Sequence, residues 1–214
     1  MSRTEINEAM LSSLRGSVAA RMSEKRFAHT LGVEEMAARI AEIYCPEKSN
    51  LLRAAALLHD ITKELTPDGH KRICAENGIR MSEEMEQAPS TQHAFTASLL
   101  IPEHYPSFAD EEIISSVRYH TTGRADMSLS DKIIYLSDYI DLTRTYPDCV
   151  ELRNMFWEVD FSKMTEAERF VHLDKVMLRS FDMTIADLKA RNRQISRETA
   201  KARESLLIKI NAYR

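Results

Sequence analysis

Three features of the 214-residue chain predict an all-helical protein. Gly and Pro are scarce, at five and six residues. Ala, Leu, Met, Glu, Arg and Lys, the good helix formers, are plentiful. Apolar residues recur at steps of three and four, and the period-2 alternation of strands is almost absent. Hydrophobic residues make up 43%, enough for the core of one domain or of one domain with an appendage.

The elements follow in order. The N-terminal stretch MSRTEINEAMLSS is polar, without the apolar core of a signal peptide. Residues 23–44 form the first expected helix, with Ser23 as N-cap and Phe27, Leu31, Met36, Ile40 and Ile43 on its apolar side. Cys45-Pro46 ends it. Residues 48–60 form a second helix, so apolar from Leu51 to Leu58 that it must be buried. Thr66-Pro67-Asp68 opens a third, closed by Asn77-Gly78, and Ser82 starts a short fourth. Residues 91–100 form another, stopped by Pro102. Asp110 caps a helix running to about His120, and Thr121-Thr122-Gly123-Arg124 reads as a turn. Ser128 or Ser130 starts the helix carrying Asp138, and Pro147 starts one through Trp157. From about residue 165, Phe170, Leu173, Met177, Phe181, Ile185 and Leu188 make one helical stripe. A basic segment follows, ending with Leu206, Leu207 and Ile210. Residues 1–159 are read as the main domain. Residues 160–214 are read as a helical C-terminal extension packed on the same domain, with self-association as a homodimer the alternative use.

The net charge of −4 argues against a nucleic-acid binder. It is uneven: residues 160–214 carry 12 Lys and Arg against 8 Asp and Glu. An acidic body would repel a polyphosphate unless metals or local cations offset it. Cys45, Cys74 and Cys149 are odd in number and lack CxxC spacing, so a disulfide framework is not expected and a reducing cytoplasm is. No apolar run reaches the ~20 residues that span a bilayer.

Four of the seven histidines and two aspartates stand at places that matter. His29 lies inside the first long helix. His59-Asp60 ends the apolar helix. His93 follows a Pro-Ser-Thr loop, His120 precedes the Thr-Thr-Gly-Arg turn, and Asp138 is flanked by apolar residues. Buried carboxylates are costly unless paired or bound to metal. Imidazole and carboxylate together suit Fe, Mn, Co, Ni or Zn. Helices can gather such ligands inside a bundle, and an aspartate can bridge two ions through its two oxygens. A lone His on a helix is usually a surface or structural residue; the combination is what points to a metal. His70, His104 and His172 are read as exposed or structural, His70 at the solvent-facing start of its helix.

The order H (29), HD (59–60), H (93), H (120), D (138) resembles the HD superfamily of metal phosphohydrolases, and within it the bacterial YqeK family. The stretches that carry the resemblance are KRFAHTLGV at 25–33, AALLHDITK at 55–63, RYHTTGR at 118–124 and KIIYLSDYID at 132–141. It covers about residues 15–155, and residues 160–214 carry none of its motifs. The sequence departs from the family pattern at Phe95-Thr96 and at residues 141–144, where Arg144 is kept but a Pro-Gly pair is not. The resemblance implies an HD-domain helical bundle with two metal ions, iron in the best-known members, with Mn or Co as other choices. His29, His59, Asp60 and Asp138 would hold one ion; Asp60, His93 and His120 would hold the other. The implied reaction is symmetrical hydrolysis of diadenosine tetraphosphate to two ADP, by hydroxide formed between the metals.

Phosphoryl transfer depends mainly on positioning and charge neutralisation. Lys63, one turn past His59-Asp60, can reach a phosphate oxygen and joins Asp60 as a catalytic candidate. Arg118, Arg124 and Arg144 are candidate phosphate clamps, since guanidinium suits bidentate phosphate contacts. Thr121, Thr122 and the Gly123 amide can donate hydrogen bonds from the turn. Two other functions stay open. One is an HD-type phosphatase or phosphodiesterase of another nucleotide. The other is a nucleotide-binding regulatory module without turnover, against which the complete ligand set counts.

Overall fold

The computed structural model describes residues 5–213, and eleven α-helices linked by turns and short 3-10 segments carry them, with no strand among the described residues. The first, α1 (Glu8–Ala19), is a helix that the polar N-terminal stretch did not announce. Its signals are nonetheless local. The Asn7 side chain accepts from the Met10 N–H, and Leu11, Leu14 and Val18 fall on one buried face.

α2 (Glu24–Tyr44) starts from Ser23, whose hydroxyl accepts from the Arg26 N–H, and ends at Cys45 before Pro46. α3 (Ser49–Leu58) is the centre of the bundle. Ala54 through Leu58 have no exposed surface, and the helix packs on α1, α2, α7 (Glu111–Tyr119) and α8 (Leu129–Ile140). Its helical run stops at Leu58, two residues before the expected end, and the chain turns through 59–64. That early stop turns His59 and Asp60 out of the apolar helix while keeping both buried.

α4 (Pro67–Glu76), α5 (Glu83–Gln87) and α9 (Pro147–Trp157) begin where Thr66, Ser82 and Pro147 predict. α6 (Gln92–His104) does not stop at Pro102 as expected; the proline lies inside its last turn. Proline lacks one donor there, but only two residues of helix follow it. Ile101, fully buried, and Tyr105, whose N–H donates to the Ile101 carbonyl at 2.9 Å, hold that turn to the core.

α10 (Glu166–Ala190) opens with a capping box between Thr165 and Glu168, and α11 (Arg197–Ala212) packs against it. Leu173, Val176, Met177, Phe181, Ala202 and Leu206 of these two helices belong to the same continuous hydrophobic core as α1, α2 and α3. The three cysteines are buried free thiols. No helix among the described residues is long and apolar enough to cross a membrane.

Candidate metal centre

Five segments deliver the six metal-ligand candidates to one place. α2 supplies His29, the turn after α3 supplies His59 and Asp60, α6 supplies His93, the end of α7 supplies His120, and α8 supplies Asp138. Asp60 sits between two sets of imidazoles. Its Oδ2 lies 3.4 Å from His59 Nε2 and 3.9 Å from His29 Nε2. Its Oδ1 lies 3.1 Å from His93 Nε2 and 3.7 Å from His120 Nε2. Asp138 Oδ1 lies 3.0 Å from His29 Nε2 and 3.7 Å from His59 Nε2.

The proton inventory shows what such a cluster can hold. His59 Nδ1 donates to the Ala56 carbonyl at 2.6 Å and His120 Nδ1 donates to the Val117 carbonyl at 2.7 Å. With Nδ1 committed to a carbonyl, Nε2 is the nitrogen that each ring turns towards Asp60. His59 Nε2 and Asp60 Oδ1 are buried without a hydrogen-bond partner. Burial, opposed by Asp60, and the nearby Lys63 ammonium push His93 down to about 3; burial also lowers His120. Burial would raise the Asp60 carboxyl, but His59 and the other surrounding histidines hold it well below the usual range. Imidazoles around ionised carboxylates are the donor set of a metal site. Ligand atoms of His29, His59 and Asp138 all lie within 4.8 Å of one another, and so do those of His59, Asp60 and His120. His59 thus stands within reach of both groups, and His93 joins the second through its 3.0 Å approach to His120 Nε2.

Side chains that the sequence did not single out brace this cluster. Asp141, fully buried, places Oδ2 3.3 Å from His29 Nδ1, and Thr143 Oγ1 lies 3.3 Å from the same nitrogen. Burial works against the His29 cation, but Asp138 and Asp141 raise it to about 9. A carboxylate behind a ligating histidine fixes its tautomer and strengthens its outer nitrogen. Arg26, one turn before His29, donates to Asp60 Oδ2 at 2.7 Å. His70 is not exposed, as expected, but buried. α4 packs on α6 and sets its Nδ1 2.9 Å from Thr96 Oγ1. Thr96 in turn meets Thr62, whose hydroxyl donates to the His93 carbonyl at 2.8 Å.

The expected phosphate contacts divide. Lys63 Nζ lies 3.1 Å from His93 Nε2, its pKa lowered by burial against the pull of Asp60. Arg144 donates to Asp138 Oδ1 at 2.5 Å. Thr121 borders the cluster and its buried hydroxyl has no partner. Arg118 and Thr122 line a neighbouring cavity instead. Arg124 is turned away, its guanidinium donating twice to Asp131 at 2.9 and 2.8 Å. The Gly123 amide is also committed, donating to the Tyr119 carbonyl at 2.8 Å as the end of α7. Both groups expected to clamp phosphate are thus engaged within the fold.

Gly123 has a packing reason. Its φ is +63°, and a Cβ there would stand 2.5 Å from Phe181 Cζ and 3.0 Å from Ala202 Cβ. Gly123→Ala is expected to cost about 2–3 kcal/mol, combining left-handed backbone strain with overpacking. A urea midpoint unchanged from wild type would show that α10 yields without cost.

A cavity of about 550 Å³ opens over His120, Asp138 and Arg144. Its outer wall comes from the C-terminal helices and their connection, notably Thr184, Leu188, Arg191 and Arg193. The sequence assigned that extension no part in the site. Arg191 pairs with Asp187, whereas the Arg193 side chain makes no hydrogen bond or ion pair among the described residues.

A helical bundle that gathers His, His-Asp, His, His and Asp around one carboxylate holds groups that could bind a metal, in the order of an HD hydrolase domain. The HD domain family profile matches residues 26–143, and the chain belongs to that family. Its relatives narrow the resemblance. The symmetrical bis(5'-nucleosyl)-tetraphosphatase of Staphylococcus aureus (strain NCTC 8325 / PS 47) is 33% identical over 135 residues, 63% of this chain and 68% of that protein. The enzyme of the same name from Bacillus subtilis (strain 168) is 29% identical over 182 residues, 85% of this chain and 89% of that protein. A match of that length runs into the C-terminal extension. The crystal structure of a "predicted HD superfamily hydrolase involved in NAD metabolism" from Clostridium acetobutylicum superposes with a TM-score of 0.79 at 30% identity, covering 92% of this chain and 97% of that one.

Proposed function

We propose that this HD-family hydrolase of phosphoric anhydrides cleaves diadenosine tetraphosphate symmetrically to two ADP at a centre for two metal ions. His29, His59, Asp60 and Asp138 would hold one ion and Asp60, His93 and His120 the other, iron being the first choice and Mn or Co the alternatives. The observation that carries this reading is Asp60, whose two oxygens face two separate histidine pairs, His29 with His59 and His93 with His120. The relatives' shared description as symmetrical tetraphosphatases supports the substrate. Metal ions held there supply Lewis acidity and water that ionises near neutral pH.

The chain's own residues do the positioning. Asp60 and Asp138 stay ionised, so the site keeps its ligands charged at neutral pH. Lys63, held beside His93, offers an ammonium to a phosphate oxygen. Thr121 offers an unused hydroxyl from the cavity wall. Arg144 can exchange part of its contact with Asp138 for a phosphate, and Arg193 adds positive charge from the extension. Hydrolysis breaks the central P–O–P link, adds the water oxygen to one phosphorus and leaves the bridging oxygen on the other. Both products are then nucleoside diphosphates.

Purified, iron-reconstituted protein should release ADP alone from diadenosine tetraphosphate when the products are separated. AMP with ATP would keep the hydrolase class and overturn the position of attack. No turnover with metal bound would redirect the assignment to another phosphorylated substrate. No turnover and no metal would favour a nucleotide-binding module.

A further inference from the structure

Next to the cavity over the metal centre lies a second one of about 350 Å³, within the range of small-molecule sites. The two share Ala88, Thr91 and Ser196 as their common rim. The chain from 119 to 122 serves both: His120 and Thr121 border the first, Tyr119 and Thr122 the second. Phe95, two residues beyond His93, forms the back of the second cavity.

The Arg118 guanidinium lies 4.4 Å from the centre of the Phe95 ring and 5.7 Å from that of Tyr119. It forms no hydrogen bond or ion pair among the described residues. A flat cation over an aromatic ring is a stacking surface for a base, and its free N–H groups suit base or ribose oxygens. Lys201, on α11, also lines the cavity, paired there with Glu198 at 3.4 Å.

We propose that this second cavity, with Phe95, Arg118 and Tyr119 as its stacking wall, binds the second nucleoside of the substrate. The proposal rests on the tetraphosphatase reading above. A symmetrical cut places the central anhydride at the metal ions, so two equal nucleotide halves must leave in different directions. The larger cavity, with Tyr135 and Tyr139 on its wall, takes one half; the smaller takes the other. The extension closes both, which gives residues 191–201 a role in holding a two-ended substrate.

The test counts product sites and measures turnover in the metal-loaded full chain. Wild-type protein should bind two ADP per chain by equilibrium dialysis, and Phe95→Ala one. The same variant should lose about ten-fold in kcat/KM for diadenosine tetraphosphate, mainly through KM, as loss of one stacked base implies. Phe95→Tyr should restore both values. Arg118→Gln, on the partly exposed side of the same stack, should give the same pattern should Phe95→Ala fail to fold. One ADP per wild-type chain, or two retained in both Phe95→Ala and Arg118→Gln, overturns the second site. Two ADP bound without any turnover of diadenosine tetraphosphate sustains the paired nucleotide places and sinks the hydrolysis reading instead.

Discussion

Asp60→Ala protein is expected to lose at least one of its metal ions and all measurable hydrolysis while remaining folded. Asp60 is the carboxylate whose two oxygens reach both pairs of imidazoles, at 3.4 and 3.9 Å on one side and 3.1 and 3.7 Å on the other. Alanine removes that negative charge from among His59, His93 and His120, so a cation gathered there loses its main counter-charge. Asp138 keeps its contacts with His29 and His59, so one weakened ion site can survive the change. Asp60→Asn tests charge apart from shape: it keeps one oxygen and the side-chain volume but cannot offer an anionic oxygen to both sides. The measurements are metal content by elemental analysis after dialysis and ADP release over time. Full metal content with full activity in Asp60→Ala would end the bridging role. Lost activity with both metals retained would leave Asp60 a part in the reaction other than holding ions.

Much of this candidate site was legible because its candidate ligands sit at places that local physics marks. His59-Asp60 follows an apolar run, so burial of a carboxylate could be inferred from neighbours in the chain. Ser23, Thr66, Ser82, Asp110 and Ser128 all act as the caps their residue types favour. What stayed hidden depends on contacts between distant segments. Nothing near His70 in sequence shows that α4 presses it onto Thr96. Asp141 reads as the end of a helix, and only the approach of α2 makes it a partner of His29. A Cβ on Gly32 would stand 2.9 Å from Asp141 Oδ1, so that glycine admits the approach. Gly123 read as a phosphate-binding amide because it lies in the turn that follows His120. Phe181, 58 positions along the chain, is what requires it to be glycine. The extension shows the same limit. Its apolar stripe announced a packed helix, but not that Arg191 and Arg193 would border the cavity over the candidate metal centre.

The packing of that extension sets up the largest expected loss of stability. Asp174 on α10 has no exposed surface, and its carboxylate receives hydrogen bonds from Lys132, Lys209 and Tyr213. Lys132 belongs to α8, the helix that carries Asp138, and is itself buried. Asp174→Ala would leave that ammonium enclosed without its carboxylate, a change expected to cost about 3–5 kcal/mol. Lys132→Met should cost far less, since Lys209 still balances Asp174 and the methionine fills the space. The pH dependence separates the two partners. Burial alone would raise the Asp174 carboxyl, but the hydrogen bonds from Lys132 and Lys209 bring it below its ordinary value. A carboxylate lowered on folding stabilises the fold above the unfolded value near pH 3.9 and loses that contribution as pH falls through the folded value. Wild type should therefore weaken in acid through this pair, and Asp174→Ala should lack that component. Lys132 behaves in the opposite sense. Burial lowers it even with Asp174 present, and loss of Asp174 lowers it further. The unfolded variant then binds more protons than the folded one over the alkaline range, so its stability should climb with pH towards about 10.4. Urea unfolding of wild type and variant at several pH values would show this convergence. A deficit independent of pH would mean that Asp174 holds α10 by packing alone, with Lys132 finding water or another partner in the variant.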